Sequence, residues 1–497
     1  MDLGALLGDI LARKIVRDGS AQADEILGKV EITGLTADSR QVEPGFLFAA
    51  IAGNKEDGAA YIPDACARGA AAILVAPGVE TPADITIPVV ENSNPRRMLA
   101  EIAARFFVVQ PDIMAAVTGT NGKTSVASFL RQIWESAGCS AASIGTLGVS
   151  VDNEIWPLDH TTPDPVELHE LLRNLVGKGI DHAVLEASSH GLSQHRTDGV
   201  TLKAAAFTNI SRDHMDYHSD FEDYLAQKMR LFSEVLPVSG IAVVHGADEN
   251  SKRVLAVAED RGIKTINVGR NARDIKILDI AREGFGQRVK LDVSGKEMEI
   301  LLPLVGEFQV ENALVAAGLA IACGMEADEA IKALEKLRGP TGRLEHVGKS
   351  AAGASIFIDY AHTPDALSTA IEALRPYAAK RVVVVFGAGG DRDRGKRSEM
   401  GEAAAKMADI AIVTDDNPRG EDPAGIRAAI MQSIPDAIEI GDRRTAIAAG
   451  MRLLRKGDIL LIAGKGHEAG QTIGTEVVPF SDHEAVAEVQ AEEKQRG

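Results

Sequence analysis

The chain has 497 residues, of which 45% are hydrophobic, and a formal net charge of −19 at pH 7. The length suggests about three domains, and the acidic balance argues against a general nucleic-acid binder or a protein that docks on an acidic membrane. Three distant cysteines imply no disulfide or metal framework, no apolar run is long enough to span a membrane, and residues 1–18 lack the apolar core of a signal peptide. We therefore expect a soluble, cytoplasmic protein.

Apolar runs alternate with amphipathic helical patterns in three successive segments. Residues 1–109 contain short strands separated by helical patterns. In residues 110–338 the alternation predicts a mostly parallel sheet, and shorter runs between Ile275 and Leu304 predict an antiparallel meander beside it. After the turn Gly339–Gly342, residues 339–497 predict a second doubly wound sheet. The expected fold is α/β in three domains.

A glycine-rich turn, Thr118–Thr124, separates the apolar run Ile113–Val117 from a helical pattern. A strand, such a turn, Lys-Thr and a helix form the arrangement that holds nucleotide phosphates. Lys123 would neutralise phosphate charge, and the hydroxyl of Thr124 would bind Mg²⁺. Val117 stands where the general pattern has glycine, and a structural turn that matches by chance is the alternative. We predict a nucleotide-binding loop, with ATP as the nucleotide.

Two further polar stretches follow strands of the same segment. Glu186 ends an apolar run, where a carboxylate can hold Mg²⁺ opposite the loop, or can be an ordinary surface glutamate. The stretch Asn209–His218 is rich in ligand-type side chains, and a neutral imidazole at His214 is a candidate ligand, although lone histidines are commonly structural. Lys228, on the next helical pattern, has the sequence context of a solvated lysine.

Four polar loops, each marked by Gly or Pro, follow strands of the third segment. These loops are Asp359–Asp365, Gly387–Arg394, Asp415–Arg419 and Gly464–Glu468. Because carboxyl ends of parallel strands meet at one edge of a sheet, we expect the loops to gather on one rim. Arg419 or Arg392 could bind a carboxylate there, and Asp416 or Glu468 an ammonium. A zwitterion site is therefore predicted, with ordinary loop composition as the alternative.

Together these motifs resemble the Mur ligase family. The resemblance rests on Thr118–Thr124, Glu186 with Ser188–His190, Asp213–His218, Glu311–Asn312, Gly342–Glu345 and Asp359–His362. The family's loop also tolerates a non-glycine residue where Val117 stands. The resemblance implies an N-terminal domain (1–109) for a UDP-linked substrate, a central P-loop ATPase domain (110–338) and a C-terminal Rossmann-like domain (339–497) for an amino acid.

The resemblance also implies individual roles. ATP would be bound by Gly119, Thr120, Asn121, Gly122, Lys123, Thr124, Ser125, Asn312, Arg343 and Asp359. Mg²⁺ would be held by Thr124, Glu186, His214 and an N-carboxylated Lys228, and the catalytic set would be Lys123, Glu186, His214 and Lys228. The UDP-linked substrate would contact Ala37, Ser39, Asn54, Lys55, Glu56, Thr161, Thr162, Ser188, Gln194 and Arg196. From the residues alone, Asp38–Arg40 reads as an ordinary polar turn.

The segment Asp416-Asn417-Pro418-Arg419 resembles the signature of family members that add meso-diaminopimelate to UDP-N-acetylmuramoyl-L-alanyl-D-glutamate. Lysine-adding members have a different residue where Arg419 stands, and an arginine can grip the extra carboxylate of diaminopimelate in a bidentate manner. By the same resemblance, Arg392, Gly464 and Glu468 complete this pocket.

The implied reaction uses ATP to make an acyl phosphate on the D-glutamyl carboxylate, which the amine then attacks. We expect small-molecule substrates, no nucleic-acid or membrane partner, and a monomer. The alternatives are a lysine-adding ligase, a ligase like folylpolyglutamate synthetase, and a P-loop switch or motor that hydrolyses nucleotide to change partners.

Overall fold

The structure is a computed structural model that describes residues 1–8, 29–53, 57–82, 85–152, 154–246 and 249–496. The chain forms two compact units. The first comprises Met1–Ala116, Cys139–Ala205 and Gln227–Gly240, and the second comprises Val117–Gly138, Ala206–Ala226 and Ile241–Gly497. Strands and helices alternate through both units, so the α/β class predicted from the sequence is confirmed.

The strands are numbered in chain order. They are β1 (Gly34–Thr36), β2 (Phe46–Ala49), β3 (Ala72–Val75), β4 (Val89–Glu91), β5 (Ile113–Thr118), β6 (Ala141–Gly145), β7 (Gly148–Val151), β8 (Glu154–Trp156), β9 (His182–Glu186), β10 (Ala204–Phe207), β11 (Ile241–His245), β12 (Lys264–Gly269), β13 (Ile275–Glu283), β14 (Gly286–Val293), β15 (Lys296–Leu302), β16 (Glu345–Lys349), β17 (Ser355–Asp359), β18 (Val382–Phe386), β19 (Ile410–Val413), β20 (Ile438–Glu439), β21 (Ile459–Ala463), β22 (Gly470–Ile473) and β23 (Glu476–Pro479).

The α-helices follow the same convention. They are α1 (Leu3–Leu7), α2 (Ile62–Ala67), α3 (Pro95–Phe107), α4 (Lys123–Ser136), α5 (Pro165–Gly177), α6 (Ser189–Ser193), α7 (Phe221–Arg230), α8 (Glu249–Asp260), α9 (Glu307–Ala322), α10 (Ala327–Ala333), α11 (Pro364–Leu374), α12 (Lys396–Met407), α13 (Pro423–Met431), α14 (Arg443–Leu453) and α15 (Asp482–Arg496). Helix α7 continues as one π-helical stretch, Leu231–Val235. Among the described residues, none of the helices combines the length and the apolar composition that a membrane span requires.

The first unit begins with a parallel four-stranded sheet in the order β1-β2-β3-β4. Side chains alternate between the two faces of a strand, and this alternation divides the core. Leu47 and Leu74 pack with α1 and α3, whereas Phe48 and Ile73 pack on the opposite face with α2. In the same unit β6 pairs in parallel with β9 and antiparallel with β7, which in turn pairs with β8.

The second unit contains the predicted meander. Strands β11, β12 and β13 run parallel, and β13, β14 and β15 then pair antiparallel. The meander is confirmed between Ile275 and Leu302, with a register shift between Ile277 and Asp279. Its strands alternate exposed and buried residues because one face packs on the core and the other meets solvent.

The second unit also contains a six-stranded sheet in the order β16-β17-β21-β18-β19-β20. The five strands β17, β21, β18, β19 and β20 are parallel, as predicted for this segment, and β16 adds an antiparallel edge that the sequence patterns did not indicate. Phe357 faces α11, α12 and α13, while its neighbours Ile356 and Ile358 face α14 and α15. Both faces of the sheet are covered, which explains the continuous apolar run Val382–Phe386.

Candidate nucleotide and amino-acid site

The phosphate loop connects β5 to α4 as predicted. Gly119 and Gly122 have φ angles of 144° and 88°, a region that favours glycine. A Cβ at Gly119 would overlap the Thr208 hydroxyl, and one at Gly122 would overlap the amide oxygen of Asn312. The loop therefore needs glycine at both positions for its conformation and for its close packing.

Backbone and hydroxyl groups fasten this loop to the segment that follows β10. Thr120 N donates to Asn209 O at 2.8 Å, and Asn121 N donates to Asn209 Oδ1 at 3.0 Å. Thr120 Oγ1 lies 3.0 Å from the Tyr224 hydroxyl. Lys123 Nζ donates to Gly119 O and Thr120 O, both at 2.9 Å, so the ammonium lies over the loop itself.

A cleft of about 320 Å³ opens beside the loop and is lined from the second unit. It brings together six of the ten residues that the resemblance assigns to ATP: Asn121, Gly122, Ser125, Asn312, Arg343 and Asp359. Phe308, Val315, Ala366 and Ala370 supply apolar surface on its wall. A polar edge at the loop and an apolar wall beyond it suit a nucleotide, whose phosphates are charged and whose base is flat and apolar.

Arg343 links this cleft to the loop. Its Nη2 donates to Thr124 Oγ1 at 3.2 Å, and its guanidinium carbon lies 4.4 Å from the centre of the Tyr360 ring. Asp359 accepts the Ala361 N–H at 2.7 Å. Burial raises the pKa of Asp359 to about 6, although Arg343 and two backbone N–H groups oppose the rise.

A second cleft, of about 270 Å³, is lined by all four polar loops of the six-stranded sheet. The predicted gathering of these loops on one rim is confirmed. Six of the seven residues assigned to the amino acid line the cleft: Arg392, Asp416, Asn417, Arg419, Gly464 and Glu468. Pro418 does not; its carbonyl packs against Gly390. His214 lines the same cleft, which thus contains both cationic and anionic groups.

The amino-acid cleft also contains charged residues to which the sequence reasoning gave no role. Burial alone would raise the pKa of Asp213, but His214, His362 and Lys123 outweigh that effect and lower it. Burial lowers the pKa of Lys396 against the attraction of Asp213 and other carboxylates, and it also lowers the pKa of His362. His362, Tyr360 and Asp365 line both clefts and therefore form a common wall.

Among the cleft residues without an assigned role, Asp213 and His362 were within reach of sequence reasoning, whereas Lys396 and Glu399 were not. Asp213 and His362 lie inside motifs that the sequence singled out, so their position after a strand was the available signal. Lys396 and Glu399 begin helix α12, where charged residues are ordinary, and only the packing of α12 against the rim brings them to the cleft.

Residues assigned to the UDP-linked substrate form a hydrogen-bonded cluster in the first unit. Thr162 Oγ1 donates to Glu186 O at 2.8 Å and lies 2.9 Å from Ser188 Oγ. Arg196 Nη1 donates to Thr162 O at 2.7 Å, and its Nη2 donates to Gln194 Oε1 at 2.9 Å. Thr161 joins through Thr146, since their hydroxyls lie 3.2 Å apart.

The remaining residues of that group lie elsewhere. Ala37 lines a cavity of the first unit with Asp159 and Glu167, and Ser39 begins a short 3₁₀ turn capped by Asp38. Asn54, Lys55 and Glu56 lie outside the described residues. Asp38–Arg40 does form a turn, in which Arg40 and Asp38 make an ion pair, while the role of Ser39 in substrate binding stays a prediction.

The candidate Mg²⁺ ligands divide between the units. Glu186 and Lys228 belong to the first unit, where both side chains are buried, and Thr124 and His214 belong to the second. The Glu186 carboxylate accepts from Thr146, at 2.9 Å from its N–H and 3.1 Å from its hydroxyl. Over the described ranges, no group of three or more His, Cys, Asp or Glu side chains is arranged to hold a metal ion.

The second unit nevertheless suits a magnesium-bound nucleotide. The two glycines of the loop let its backbone approach Thr208 and Asn312 closely. Thr118 Oγ1 and Arg343 Nε are buried without a hydrogen-bond partner among the described residues, which is unusual for polar atoms in a finished core. A metal held here would need ligands beyond His and carboxylates, such as the Thr124 hydroxyl and phosphate oxygens.

Three segments match family descriptions. Residues 31–107 match "Mur ligase family, catalytic domain", residues 117–320 match "Mur ligase middle domain", and residues 342–466 match "Mur ligase, glutamate ligase domain". Apart from Glu468, the residues that line the two clefts lie within the last two matched segments. The chain therefore belongs to the Mur ligase family and is a ligase.

Relatives that match almost the whole chain carry a more specific name than the family. A protein of Chelativorans sp. (strain BNC1) named UDP-N-acetylmuramoyl-L-alanyl-D-glutamate–2,6-diaminopimelate ligase is 53% identical over 93% of this chain and 95% of its own length. A protein of Rhizobium meliloti (strain 1021) with the same name is 53% identical over 94% and 96%. A solved structure of a ligase of that name is 31% identical, with a TM-score of 0.71 over 100% of this chain and 99% of its own.

Proposed function

We propose that the chain is an ATP-dependent ligase that adds meso-diaminopimelate to UDP-N-acetylmuramoyl-L-alanyl-D-glutamate, a step of peptidoglycan precursor synthesis. The observation that carries the proposal is the composition of the amino-acid cleft, where Arg392 and Arg419 lie on the same rim as Asp416 and Glu468. This mixture suits an amino acid with two ammonium groups and two carboxylates. The names of relatives that match almost the whole chain support the same substrate.

Arg419 is the residue that favours diaminopimelate over lysine. Its Nη1 donates to Gly390 O at 3.0 Å, which fixes one side of the guanidinium on the neighbouring loop. The backbone of Arg419 has a φ of 49°, a strained conformation for a side chain larger than glycine. A fixed, planar guanidinium binds a carboxylate with two parallel hydrogen bonds, and lysine lacks that carboxylate.

In the proposed reaction, the D-glutamyl carboxylate attacks the γ-phosphorus of ATP, the bond to the β-phosphate oxygen breaks, and ADP leaves. The amine of diaminopimelate then attacks the acyl carbon, phosphate leaves, and the nitrogen loses a proton. Lys123 would exchange its loop carbonyls for phosphate oxygens, and the loop N–H groups would hold the β-phosphate. Arg343, bonded to Thr124, would hold charge that develops on the transferring group.

Bound Mg²⁺ would neutralise charge on the phosphate oxygens. The residues proposed to hold it are Thr124, Glu186, His214 and Lys228, the last as a carbamate formed from its neutral amine and CO₂ with release of one proton. The support for Lys228 is the family resemblance together with the burial of its side chain, which is 1% exposed.

The same proposal assigns the three parts of the chain. Residues 1–109 would bind the uridine nucleotide, with Ala37 and Ser39 as contacts, together with Asn54, Lys55 and Glu56 outside the described residues. Residues 110–338 would bind ATP, and the cluster around Thr162 would receive the muramoyl peptide. Residues 339–497 would bind the amino acid. Substrates of this kind and the use of ATP favour a cytoplasmic location, and the chain is proposed to act as a monomer.

The test is phosphate release by the purified chain with ATP and Mg²⁺. We expect release only when UDP-N-acetylmuramoyl-L-alanyl-D-glutamate and meso-diaminopimelate are both present, with a product heavier than the nucleotide substrate by diaminopimelate minus water. L-Lysine in place of diaminopimelate is the matched control. Turnover with lysine alone would assign the lysine-adding reaction, and release that ignores both substrates would indicate a nucleotide-driven switch.

A further inference from the structure

Beneath the amino-acid cleft lies a buried lysine that has no assigned role. Lys465 lies two residues past the end of β21 and is 0% exposed. Its neighbours Gly464 and Gly466 have φ angles of 119° and 55°, so that two glycine conformations turn the chain sharply around it. A fully buried ammonium is costly unless its hydrogen bonds are made to charged or polar partners.

Both hydrogen bonds of this ammonium go to proposed amino-acid contacts. Lys465 Nζ donates to Glu468 Oε2 at 2.8 Å and to Asn417 Oδ1 at 3.1 Å. Asn417 Nδ2 in turn donates to the same Glu468 Oε2 at 2.9 Å. The three side chains therefore form a closed triangle, although they come from two different loops.

The triangle fixes which atoms remain for a ligand. Asn417 Oδ1 accepts from Lys465 and from Thr472 N, at 2.9 Å, so the amide cannot turn over without losing two donors. Its Nδ2 keeps one N–H beyond the bond to Glu468. In the part of the chain that the structure describes, both bonds to the Glu468 carboxylate fall on Oε2, which leaves Oε1 as an acceptor.

We infer that Lys465 is the positioning residue of the amino-acid cleft: it sets Glu468 Oε1 to accept an ammonium and Asn417 Nδ2 to donate to a carboxylate. This inference rests on the proposed function, because diaminopimelate offers both groups. Lys465 itself lies beneath these side chains and acts through them. Without its charge, Glu468 and Asn417 can adopt other rotamers in which the carboxylate and the amide no longer match the zwitterion.

The variant Lys465→Met removes the charge and keeps most of the side-chain volume. We expect the KM for meso-diaminopimelate to rise roughly 10-fold to 100-fold, the range for hydrogen bonds to a charged group. The KM values for ATP and for the UDP-linked substrate should stay within about twofold, as should kcat at saturating diaminopimelate, because the groups that meet ATP lie in another cleft.

Arg381→Met is the matched control. Arg381 pairs with the buried Asp458 at the amino ends of β18 and β21, whereas Lys465 lies past the carboxyl end of β21. Both variants remove a cation from an ion pair of the same sheet, so thermal unfolding should report a loss of stability in each. Only Lys465→Met should change the KM for diaminopimelate. A similar KM change in both, or a parallel rise in all three KM values, would overturn the inference.

A double variant tests whether Lys465 acts through Glu468. In a Glu468→Gln background, the further change Lys465→Met should raise the KM for diaminopimelate by clearly less than it does in the wild type, because only the contribution through Asn417 remains, whereas fully additive effects would contradict the inference. If Lys465→Met does not fold, Lys465→Arg permits the same comparison, since it retains a cation and displaces its nitrogens. If the proposed function is wrong, phosphate release by the wild type will not depend on diaminopimelate. That result would contradict both proposals, whereas a result confined to the variants would contradict only the role of Lys465.

Discussion

The guanidinium of Arg343 donates a hydrogen bond to the hydroxyl of Thr124 across 3.2 Å. Thr124 is the second residue of α4, the helix after the phosphate loop, and Arg343 lies two residues before β16, the edge strand of the six-stranded sheet. Tyr360 covers the other face of the guanidinium. Arg343 thus lies next to the six-stranded sheet, whose loops line the amino-acid cleft, and its side chain reaches the loop that is proposed to hold ATP.

Replacing Arg343 should weaken ATP use specifically. In Arg343→Met the charge facing the loop is lost, and we expect the KM for ATP to rise roughly 10-fold to 100-fold. The KM for meso-diaminopimelate should change little. Steady-state phosphate release measures both, with Arg288→Met as the control because Arg288 forms surface ion pairs within the meander. An unchanged KM for ATP would remove Arg343 from the nucleotide site.

Arg419 should decide between diaminopimelate and lysine. In Arg419→Ala we expect kcat/KM for meso-diaminopimelate to fall by roughly 100-fold or more, because a carboxylate in the cleft loses its bidentate partner. ATP binding, followed by calorimetry, should remain. Arg394→Ala is the matched control, since Arg394 lies on a loop of the same rim but its side chain is 75% exposed. Equal losses in the two variants would contradict the role of Arg419.

Lys228 should make activity depend on CO₂. We expect activity to fall in CO₂-free buffer and to return on addition of bicarbonate, and ¹³C-bicarbonate should give one carbamate signal in the wild type that Lys228→Met lacks. Lys252→Met, at an exposed lysine of α8, is the control and should keep the signal. A carbamate signal that persists without Lys228 would place the modification elsewhere.

The ion pair of His483 and Glu345 should stabilise the fold only within a limited range of pH. His483 Nε2 lies 2.8 Å from Glu345 Oε2. The hydrogen bond to Glu345 raises the pKa of His483. Burial alone would raise the pKa of Glu345, but the bonds from His483 and Gly342 N outweigh it and lower it. The contribution of His483 to the free energy of unfolding is complete below pH 6.5 and is lost as the pH rises through the raised pKa of His483. The contribution of Glu345 is complete above pH 4.5 and is lost as the pH falls through the lowered pKa of Glu345.

We therefore expect the pair to stabilise the fold most between about pH 4.5 and 6.5, by about 1 kcal/mol. Urea unfolding of the wild type and of His483→Gln at several pH values should show their difference shrinking on both sides of that window. His182→Gln, at a histidine next to the exposed Asp181, is the control. A difference that does not vary with pH would show that packing, and not charge, is what His483 contributes.

Sequence patterns predicted the parallel sheets well because buried strands leave long apolar runs such as Val382–Phe386. They predicted no strand at β7, β8 or β16, nor at β22 and β23, which are short and partly exposed. Such strands are held by backbone pairing with neighbours, and pairing leaves little trace in the side chains. The π-helical end of α7 was missed for a similar reason, since its hydrophobic spacing resembles that of an α-helix.

By itself the sequence determined the phosphate loop, the order of strands and helices, and the four loops that share one rim, because these depend on local residue types and on the rule that parallel strands end at one edge. Only the tertiary structure decided that Lys396 and Glu399 reach the amino-acid cleft and that Lys465 lies beneath it. Those positions depend on which helix packs on which strand and on how far a buried charge lies from its partners. The spacing of residues along the chain does not specify either of these.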